Sequence, residues 1–145
     1  MSAKRQPDQA ETLRRELSAR KSHLTRQRAA VFNYLSQAEH HPTAEEIYLA
    51  VKRKLPKISL ATVYKNLEKL VELGAASKLT YGDAAARYDI RTDHHYHTRC
   101  LRCGRVQDFD SVKGRELLRQ ITPQAGFTVE DYRLELLGHC QNCRR

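Results

Sequence analysis

The chain has 145 residues, four cysteines and a net charge of +9, and 30% of its side chains are charged. This length allows one ordinary domain or two small ones, and no apolar run approaches the ~18 residues that cross a membrane. The first residues lack the apolar segment of a signal peptide, so we expect a cytoplasmic protein that has no membrane partner. Residues 1–80 carry 15 basic and 8 acidic side chains. This excess favours a polyanion such as nucleic acid as partner, and a merely solvated basic face is the alternative.

Helices are predicted throughout the first half. A thin amphipathic helix or a partly ordered arm surrounds Leu13 and Leu17. Thr25 is then placed to cap a second helix that ends near His40, because a threonine oxygen can accept a hydrogen bond from the first turn. Its apolar stripe consists of Val31, Phe32 and Leu35.

The third and fourth helices carry clear start and stop signals. Thr43 and Glu46 form a capping box that begins the third helix, and Pro56 ends it. Ser59 can cap the fourth helix, and Gly74 can end it in the left-handed conformation. The fourth helix has a continuous apolar stripe of Leu60, Val63, Leu67, Leu70 and Val71.

The opposite face of the fourth helix has the chemistry of a DNA-reading surface. We place Ala61, Thr62, Lys65, Asn66 and Lys69 on this face, with Tyr64 at its margin. The segments "ASKLTYG" and "AARYDIRT" follow and are typical of a β-hairpin. Helices followed by a hairpin predict a winged helix-turn-helix, and a plain three-helix bundle with a solvated face is the alternative.

The second half changes to a small α/β pattern. "HHYHTRC", "GRVQDFDS" and "FTVEDYRLELLGHC" alternate apolar and polar residues as strands do, and "VKGRELLRQIT" reads as a helix. The sequence therefore predicts an α+β protein with a winged-helix domain over 1–86, a hinge over 87–93 and a small α/β domain over 94–145.

Two C-x-x-C pairs point to a metal. Cys100 with Cys103, and Cys140 with Cys143, supply four thiolates, and tetrahedral sulfur coordination suits Zn²⁺. A long gap separates the pairs, but loop closure costs only ~0.6 kcal/mol per doubling of loop length. We therefore predict a structural zinc site that pins the C-terminal segment to the strand carrying Cys100. A redox pair or two disulfides are the alternatives.

Histidines and aspartates suggest a second metal site. His95 and His97 lie two residues apart, so on a strand they share one face. Asp89, Asp108 and His41 are further candidate ligands, although spacing alone does not show that they converge. A structural histidine pair is the alternative.

The motifs resemble those of the ferric-uptake-regulator family of bacterial metal-dependent repressors along nearly the whole chain. The matching stretches are "HPTAEEIY", "SLATVYKNLEKLVELG", "RYDIRTDHHYHTRCLRCGRVQDF" and "GHCQNC". Within the family, "LTYGDAAARYD" is most similar to the peroxide-sensing branch. The resemblance implies a homodimer in which the C-terminal domain dimerises, and a repressor rather than an enzyme.

The resemblance also implies how the second site works. His41, Asp89, His95, His97 and Asp108 would hold Fe²⁺ or Mn²⁺, metals suited to mixed nitrogen and carboxylate ligands. In the peroxide-sensing branch bound iron reacts with hydrogen peroxide, a histidine ligand is oxidised, and DNA is released. The oxidised residue would here be His41 or His95. Aspartate at both carboxylate positions is our reason for preferring this branch.

A further metal site found in many relatives is expected to be absent. Its positions are occupied here by His94, Tyr96, Arg115 and Tyr132, of which only His94 is a good ligand.

DNA contacts follow from the same resemblance. The expected operator is an A·T-rich palindrome in double-stranded DNA, with Tyr64 reading thymine methyl groups. Phosphate or base contacts are expected from Arg26, Arg28, Ser59, Thr62, Lys65, Asn66 and Lys78.

Two other interpretations remain open. A sensor of iron or zinc supply would share every motif and would release DNA when it loses metal. A metal-storing or redox enzyme would use Cys100, Cys103 and the histidines directly, but it would leave the basic first half unexplained.

Overall fold

The computed structural model describes residues 8–19, 24–82, 84–91, 95–110, 112–129 and 132–144. Within the first and last helices, the side chains at 8–10, 12, 13, 16 and 112–115 are not described, so the expected stripe residue Leu13 lies outside the described side chains. The chain divides into two compact units, Met1–Thr92 and Asp93–Arg145. No helix among the described residues is long and apolar enough to span a membrane.

The described residues of the first unit form four helices and a hairpin, as the sequence predicts. Its elements are α1 (Asp8–Ala19), α2 (Arg26–Gln37), α3 (Ala44–Lys52), α4 (Leu60–Glu72), β1 (Ser77–Tyr81) and β2 (Ala84–Asp89).

The predicted starts of α2, α3 and α4 and the predicted end of α4 are confirmed, whereas α2 ends at Gln37 rather than near His40 and α3 ends at Lys52, four residues before Pro56. The Thr25 side chain accepts a hydrogen bond from the N–H of Arg28, and the Ser59 side chain accepts one from the N–H of Thr62. The capping box that begins α3 has both of its hydrogen bonds. Gly74 has a φ of 72°, the left-handed conformation that ends α4.

The core of the first unit forms where the apolar stripes meet. Val63, Leu67 and Leu70 of α4 are fully buried and pack with Val31 of α2 and Ile47 of α3. Leu17 brings α1 into the same cluster. Each fully buried side chain of this kind contributes roughly 1.5–3 kcal/mol, so this unit is held together by ordinary hydrophobic burial.

The hairpin that follows α4 is antiparallel. Its second strand contributes Tyr88 to the core and ends at Asp89, a candidate metal ligand. Lys78 pairs with Tyr88 across the hairpin, and Tyr88 is fully buried in the core. Arg87, where the predicted hinge begins, lies within β2. Asp83, the second residue of the predicted turn, lies outside the described residues.

In the second unit, the residues that the structure describes form a three-stranded sheet and one helix. Its elements are β3 (Tyr96–Cys100), β4 (Val106–Phe109), α5 (Val112–Ala125) and β5 (Glu135–Gly138). The strand order is β4–β3–β5, with β4 antiparallel and β5 parallel to β3. The α+β prediction is confirmed. The long strand predicted over 127–140 is wrong in extent, because only Glu135–Gly138 pairs with β3 and Phe127 is 68% exposed.

Candidate metal centres and nucleic-acid face

The four cysteines converge at one end of the sheet in the second unit. The parallel pairing of β3 and β5 places Cys100 opposite Gly138, so Cys140 follows close to Cys100. Backbone hydrogen bonds close both knuckles, from the N–H of Gly104 to Cys100 O and from the N–H of Cys143 to Cys140 O, each 2.9 Å long. The four Sγ atoms lie within 4.8 Å of one another.

The sulfur spacing fits a tetrahedral metal. Cys103 Sγ and Cys140 Sγ are 3.8 Å apart, and two sulfurs of a tetrahedral zinc with Zn–S bonds near 2.3 Å would be separated by about 3.8 Å. A disulfide needs about 2.05 Å, and all four cysteines are free thiols here. The donor set therefore fits Zn²⁺, and one convergent cluster argues against a single redox pair.

Backbone N–H groups favour the thiolate form of Cys100. The N–H of Cys140 lies 3.4 Å from Cys100 Sγ. Donation by the backbone of Cys103 and then of Cys140 lowers the pKa of Cys100 to about 5. The neighbouring sulfurs, Cys140 first, raise the pKa of Cys143 to about 12. Four thiols this close cannot all lose protons without a cation, which is the role that zinc would fill.

In the first unit, a buried histidine faces a buried aspartate. The segment 41–43 lies along β2, because the N–H of Tyr88 donates to Pro42 O at 2.9 Å and the guanidinium of Arg87 donates to His41 O at 2.8 Å. This pairing brings His41 Nε2 to 3.2 Å from Asp89 Oδ2, with both side chains at most 5% exposed. The N–H of Arg91 also donates to Asp89 Oδ1 at 2.9 Å.

In the second unit, two histidines share one aspartate. The β3–β4 register sets His97 opposite Asp108. Asp108 Oδ1 lies 3.3 Å from His95 Nε2 and 3.5 Å from His97 Nε2. The two imidazole rings contact each other edge to face, with centroids 4.6 Å apart. The alternation predicted for this strand thus places both rings beside one carboxylate.

Both groups have the chemistry of a divalent-metal site. Imidazole nitrogens and carboxylate oxygens suit Fe²⁺ and Mn²⁺ better than a set of thiolates does. A buried carboxylate beside an imidazole is also costly unless a proton or a metal compensates its charge. The donors in each unit therefore fit a metal of this class.

Two residues at the positions of the further metal site of relatives contact each other in this structure. Tyr96 and Tyr132 share a hydrogen bond between their hydroxyl oxygens, 2.7 Å apart. Neutral phenol hydroxyls are poor ligands for a divalent metal ion. His94 and the side chain of Arg115 lie outside the described part of the chain.

The outer face of α4 and its N-cap carry four of the eight residues expected to contact DNA, namely Ser59, Thr62, Tyr64 and Lys65. Tyr64 is 38% exposed and its hydroxyl donates to Glu45 Oε1 at 2.8 Å. This bond lowers the pKa of Glu45 and raises that of Tyr64. Lys65 is exposed beside Tyr64. Thr62 is half-buried, with its hydroxyl 2.8 Å from that of Ser59.

Two other expected DNA contacts differ from the prediction or have partners. Asn66 is 5% exposed and its amide donates to Thr62 O at 2.9 Å, so its placement on the exposed face is wrong. At the edge of a helix, burial against the core overrides a purely helical-wheel assignment. Lys78 on the hairpin is exposed, but its ammonium donates to Glu68 at 2.9 Å.

The remaining two predicted contacts lie at the start of α2. Arg26 is exposed and Arg28 is half-buried. No local pattern indicates the roles of Glu45 and Glu68, because their partners are 19 and 10 residues away along the chain.

The chain is similar in sequence and in fold to known bacterial regulators. The sequence pattern of the Ferric uptake regulator family matches residues 19–137. The chain is 40% identical over 121 residues to the peroxide-responsive repressor PerR of Staphylococcus aureus (strain USA300), covering 83% of this chain and 82% of that protein. It resembles a solved zinc-bound manganese uptake regulator with a TM-score of 0.75 and 32% identity, covering 89% of this chain and 98% of the other. It also resembles the Campylobacter jejuni peroxide stress regulator with a TM-score of 0.66 and 31% identity, covering 92% and 97%.

Proposed function

This chain belongs to the ferric uptake regulator family, and from that premise we propose that it is a zinc-stabilised, metal-dependent repressor that senses peroxide. The observation that carries the proposal is the buried pair of His41 and Asp89, 3.2 Å apart, in a chain 40% identical to a peroxide-responsive repressor. The protein acts by binding DNA rather than by turning over a substrate. Its proposed compartment is the cytoplasm, where the operator is.

One regulatory metal ion would be shared by the two units. His41 and Asp89 come from the first unit, and His95, His97 and Asp108 come from the second. A metal that needs ligands from both units ties their relative position to its own binding energy. Shifting such a hinge from 1:99 to 99:1 takes ~5.5 kcal/mol of differential binding, which a site with five donors can supply.

The peroxide response would be a chemical change at a ligand. Fe²⁺ held by these residues would supply the one-electron chemistry that cleaves the O–O bond of hydrogen peroxide, and it would act as a catalyst, because oxidation of the imidazole returns the electron to iron. In the net reaction an imidazole C–H bond of His41 or His95 would be replaced by a C–O bond with one oxygen atom of peroxide, and the other oxygen atom would leave as water. The oxidised ring no longer binds metal well, so the coupling between the units and the affinity for DNA are lost together. Mn²⁺ would hold the same side chains without this reaction.

DNA recognition would use the outer face of α4. Tyr64 would contact thymine methyl groups in the major groove, while Ser59, Thr62 and Lys65 would contact phosphates or base edges. Arg26, Arg28 and Lys78 would contact the backbone. A homodimer would present two such faces to the two halves of an A·T-rich palindrome, since operator symmetry follows protein symmetry.

The test is operator binding by protein loaded with a single regulatory metal. A duplex is first selected from a random pool with the Mn²⁺-loaded protein, and its affinity is then measured for the apo, Mn²⁺ and Fe²⁺ forms before and after mild peroxide. We expect tight binding with either metal and loss of binding after peroxide only with Fe²⁺. Peroxide-resistant binding by the Fe²⁺ form would contradict the proposal.

A sensor of metal supply is the second candidate. The observation that favours it is the 32% identity to a zinc-bound manganese uptake regulator. This candidate also needs the His and Asp side chains, but it predicts that DNA binding follows free metal concentration and is indifferent to peroxide. The two candidates therefore differ in the peroxide arm of the same experiment.

A further inference from the structure

A basic cavity lies beside the start of α4. It has a volume of about 520 Å³ and is formed by the beginning of α2 and by the loop between α3 and α4. Three cationic side chains line it, Arg26, Lys54 and Lys57, and no acidic residue does. All of the charged side chains in its lining are therefore positive.

These three cations differ from Lys69 and Lys78 of the same unit, which form ion pairs. Lys69 lies 3.0 Å from Glu72, and Lys78 lies 2.9 Å from Glu68. Arg26, Lys54 and Lys57 have no ion-pair partner among the residues that the structure describes. A cluster of like charges without a carboxylate is unfavourable by itself, and an anion would relieve it.

The loop that carries the two lysines is firmly held. The N–H groups of Lys54 and Leu55 donate to Val51 O at 3.0 and 2.9 Å, and the N–H of Ile58 donates to Leu55 O at 3.0 Å. Ile58 is 4% exposed in the core, and Leu55 packs against it. Hydrogen bonds and core packing hold the backbone of this loop in place, while the side chains of Lys54 and Lys57 are exposed to solvent.

The remaining wall and the position of the cavity suit a nucleotide chain. Leu55 and Pro56 give it an apolar surface, which a deoxyribose can contact and a free inorganic anion cannot use. Ile58 directly precedes Ser59, the N-cap of α4. In helix-turn-helix proteins the N-terminal residues of the recognition helix contact the bases, so a phosphodiester strand would pass close to this cavity.

We propose that this cavity binds the sugar–phosphate backbone of duplex DNA, with Arg26, Lys54 and Lys57 neutralising phosphates next to the recognition helix. The inference rests on the proposed DNA-binding function. It adds Lys54 and Lys57, which the sequence did not suggest, to the expected contact of Arg26. The cavity would anchor the strand and set the depth of α4 without reading bases.

The test compares two variants with the same loss of charge. Lys54→Gln with Lys57→Gln removes two cations from the cavity, and Lys52→Gln with Arg53→Gln removes two exposed cations just outside it. Both are loaded with Mn²⁺ and titrated, over a range of salt concentrations, with the duplex selected by the unaltered protein and with a random duplex of equal length. Thermal unfolding checks that both variants fold.

The cavity variant should lose a similar factor of affinity on both duplexes. Its slope of log K against log salt should become shallower by about 0.9 for each phosphate that a protomer no longer neutralises, and the control variant should keep a slope near that of the unaltered protein. Neutral methylphosphonates at one or two backbone positions should weaken the unaltered protein but not the cavity variant. Equal slopes for the two variants would overturn the proposal.

Two other outcomes have separate meanings. If inorganic phosphate binds the unaltered protein and the cavity variant loses only that binding, with DNA affinity unchanged, the cavity is a small-anion site and the proposal is wrong. If the unaltered Mn²⁺ form binds no duplex at any salt concentration, the proposed function itself fails and the inference falls with it.

Discussion

The two units of this protein are stabilised by different means. Among the described side chains of the first unit, fifteen buried ones between Leu17 and Ile90 form one apolar cluster. In the second unit, the buried apolar side chains among the described residues are Tyr96, Cys100 and Val106. Leu136 and Leu137 of the same unit are about half exposed, at 50% and 54%. Burial can therefore account for the first unit, whereas the second needs other sources of stability.

The difference shows where a metal matters for folding. Burial of each of these three side chains stabilises the folded state by roughly 1.5–3 kcal/mol. Binding of structural zinc contributes ~10–16 kcal/mol of folding free energy in small zinc domains. We therefore expect loss of zinc to unfold the second unit and to leave the first unit folded.

Zinc removal should have the largest effect and should separate the two units. A chelator that strips zinc, or the substitution Cys140→Ser, is expected to abolish amide protection in β3 and β5 and leave α2 to α4 protected. Hydrogen exchange followed by mass spectrometry measures both units in one sample. Removal of the regulatory metal alone, with zinc retained, is the control. Unchanged protection of β3 and β5 in protein shown to hold no zinc would break the comparison.

A core truncation should produce the opposite pattern. Leu67 is fully buried in α4, so Leu67→Ala is expected to cost about 2–5 kcal/mol through reduced burial and a residual cavity. Denaturant unfolding of the first unit measures the destabilisation, and zinc content should not change. Leu49→Ala, at a position 65% exposed, is the matched control and should cost far less. Equal costs at the two positions would contradict the assigned core.

Much of the first unit was predictable because its signals are local. The capping box at Thr43 and Glu46, the Ser59 cap and the Gly74 terminator each act within one helical turn, and all four positions behave as predicted. The cysteine cluster was also predictable, since two C-x-x-C pairs have few other uses.

The parts that sequence reasoning missed depend on distant contacts. The parallel pairing of β5 with β3 joins segments far apart in the chain, and no local pattern determines it. The burial of Asn66 depends on how α4 leans against its neighbours rather than on helical periodicity. The Glu45–Tyr64 bond likewise joins two helices. The convergence of His41 with Asp89 was expected only from the family resemblance, and here it follows from residues 41–43 lying along β2.

Loss of a single regulatory ligand should uncouple the units without unfolding either one. His41→Ala is expected to abolish the increase in operator affinity on Mn²⁺ loading, because the first unit then offers only Asp89. His40→Ala, at the exposed neighbouring position, should leave that increase intact. Fluorescence anisotropy with and without Mn²⁺ measures the increase, and circular dichroism reports the fold. An undiminished response to Mn²⁺ in His41→Ala would remove His41 from the ligand set.

Two neighbouring substitutions should separate reading from anchoring on α4. Tyr64→Ala is expected to reduce preference for the selected duplex over random DNA, because the loss of recognition at one base pair typically costs about 1–3 kcal/mol. Lys65→Ala should weaken binding to both duplexes and reduce the salt slope by about 1 per protomer. Competition titrations measure the ratio. Equal losses on both duplexes for Tyr64→Ala would refute its role in base recognition.

The smallest predicted effect concerns the capping box. Thr43 Oγ1 accepts from the N–H of Glu46 at 3.2 Å, and the N–H of Thr43 donates to Glu46 Oε2 at 2.8 Å. Thr43→Ala should cost about 1 kcal/mol in the unfolding of the first unit, and Thr43→Ser should retain most of that stability. Neither substitution should change the stability of the second unit. Equal destabilisation by alanine and serine would mean that the cap hydroxyl contributes nothing.

The most direct test of the central claim is peptide mass spectrometry of the Fe²⁺-loaded and Mn²⁺-loaded protein after mild peroxide, with operator binding measured on the same samples. The account predicts one added oxygen atom on the peptide containing His41 or His95, only with Fe²⁺, in proportion to the decrease in DNA binding. Unmodified histidines in Fe²⁺ protein, with DNA binding that follows metal supply alone, would contradict it and leave a metal-uptake regulator.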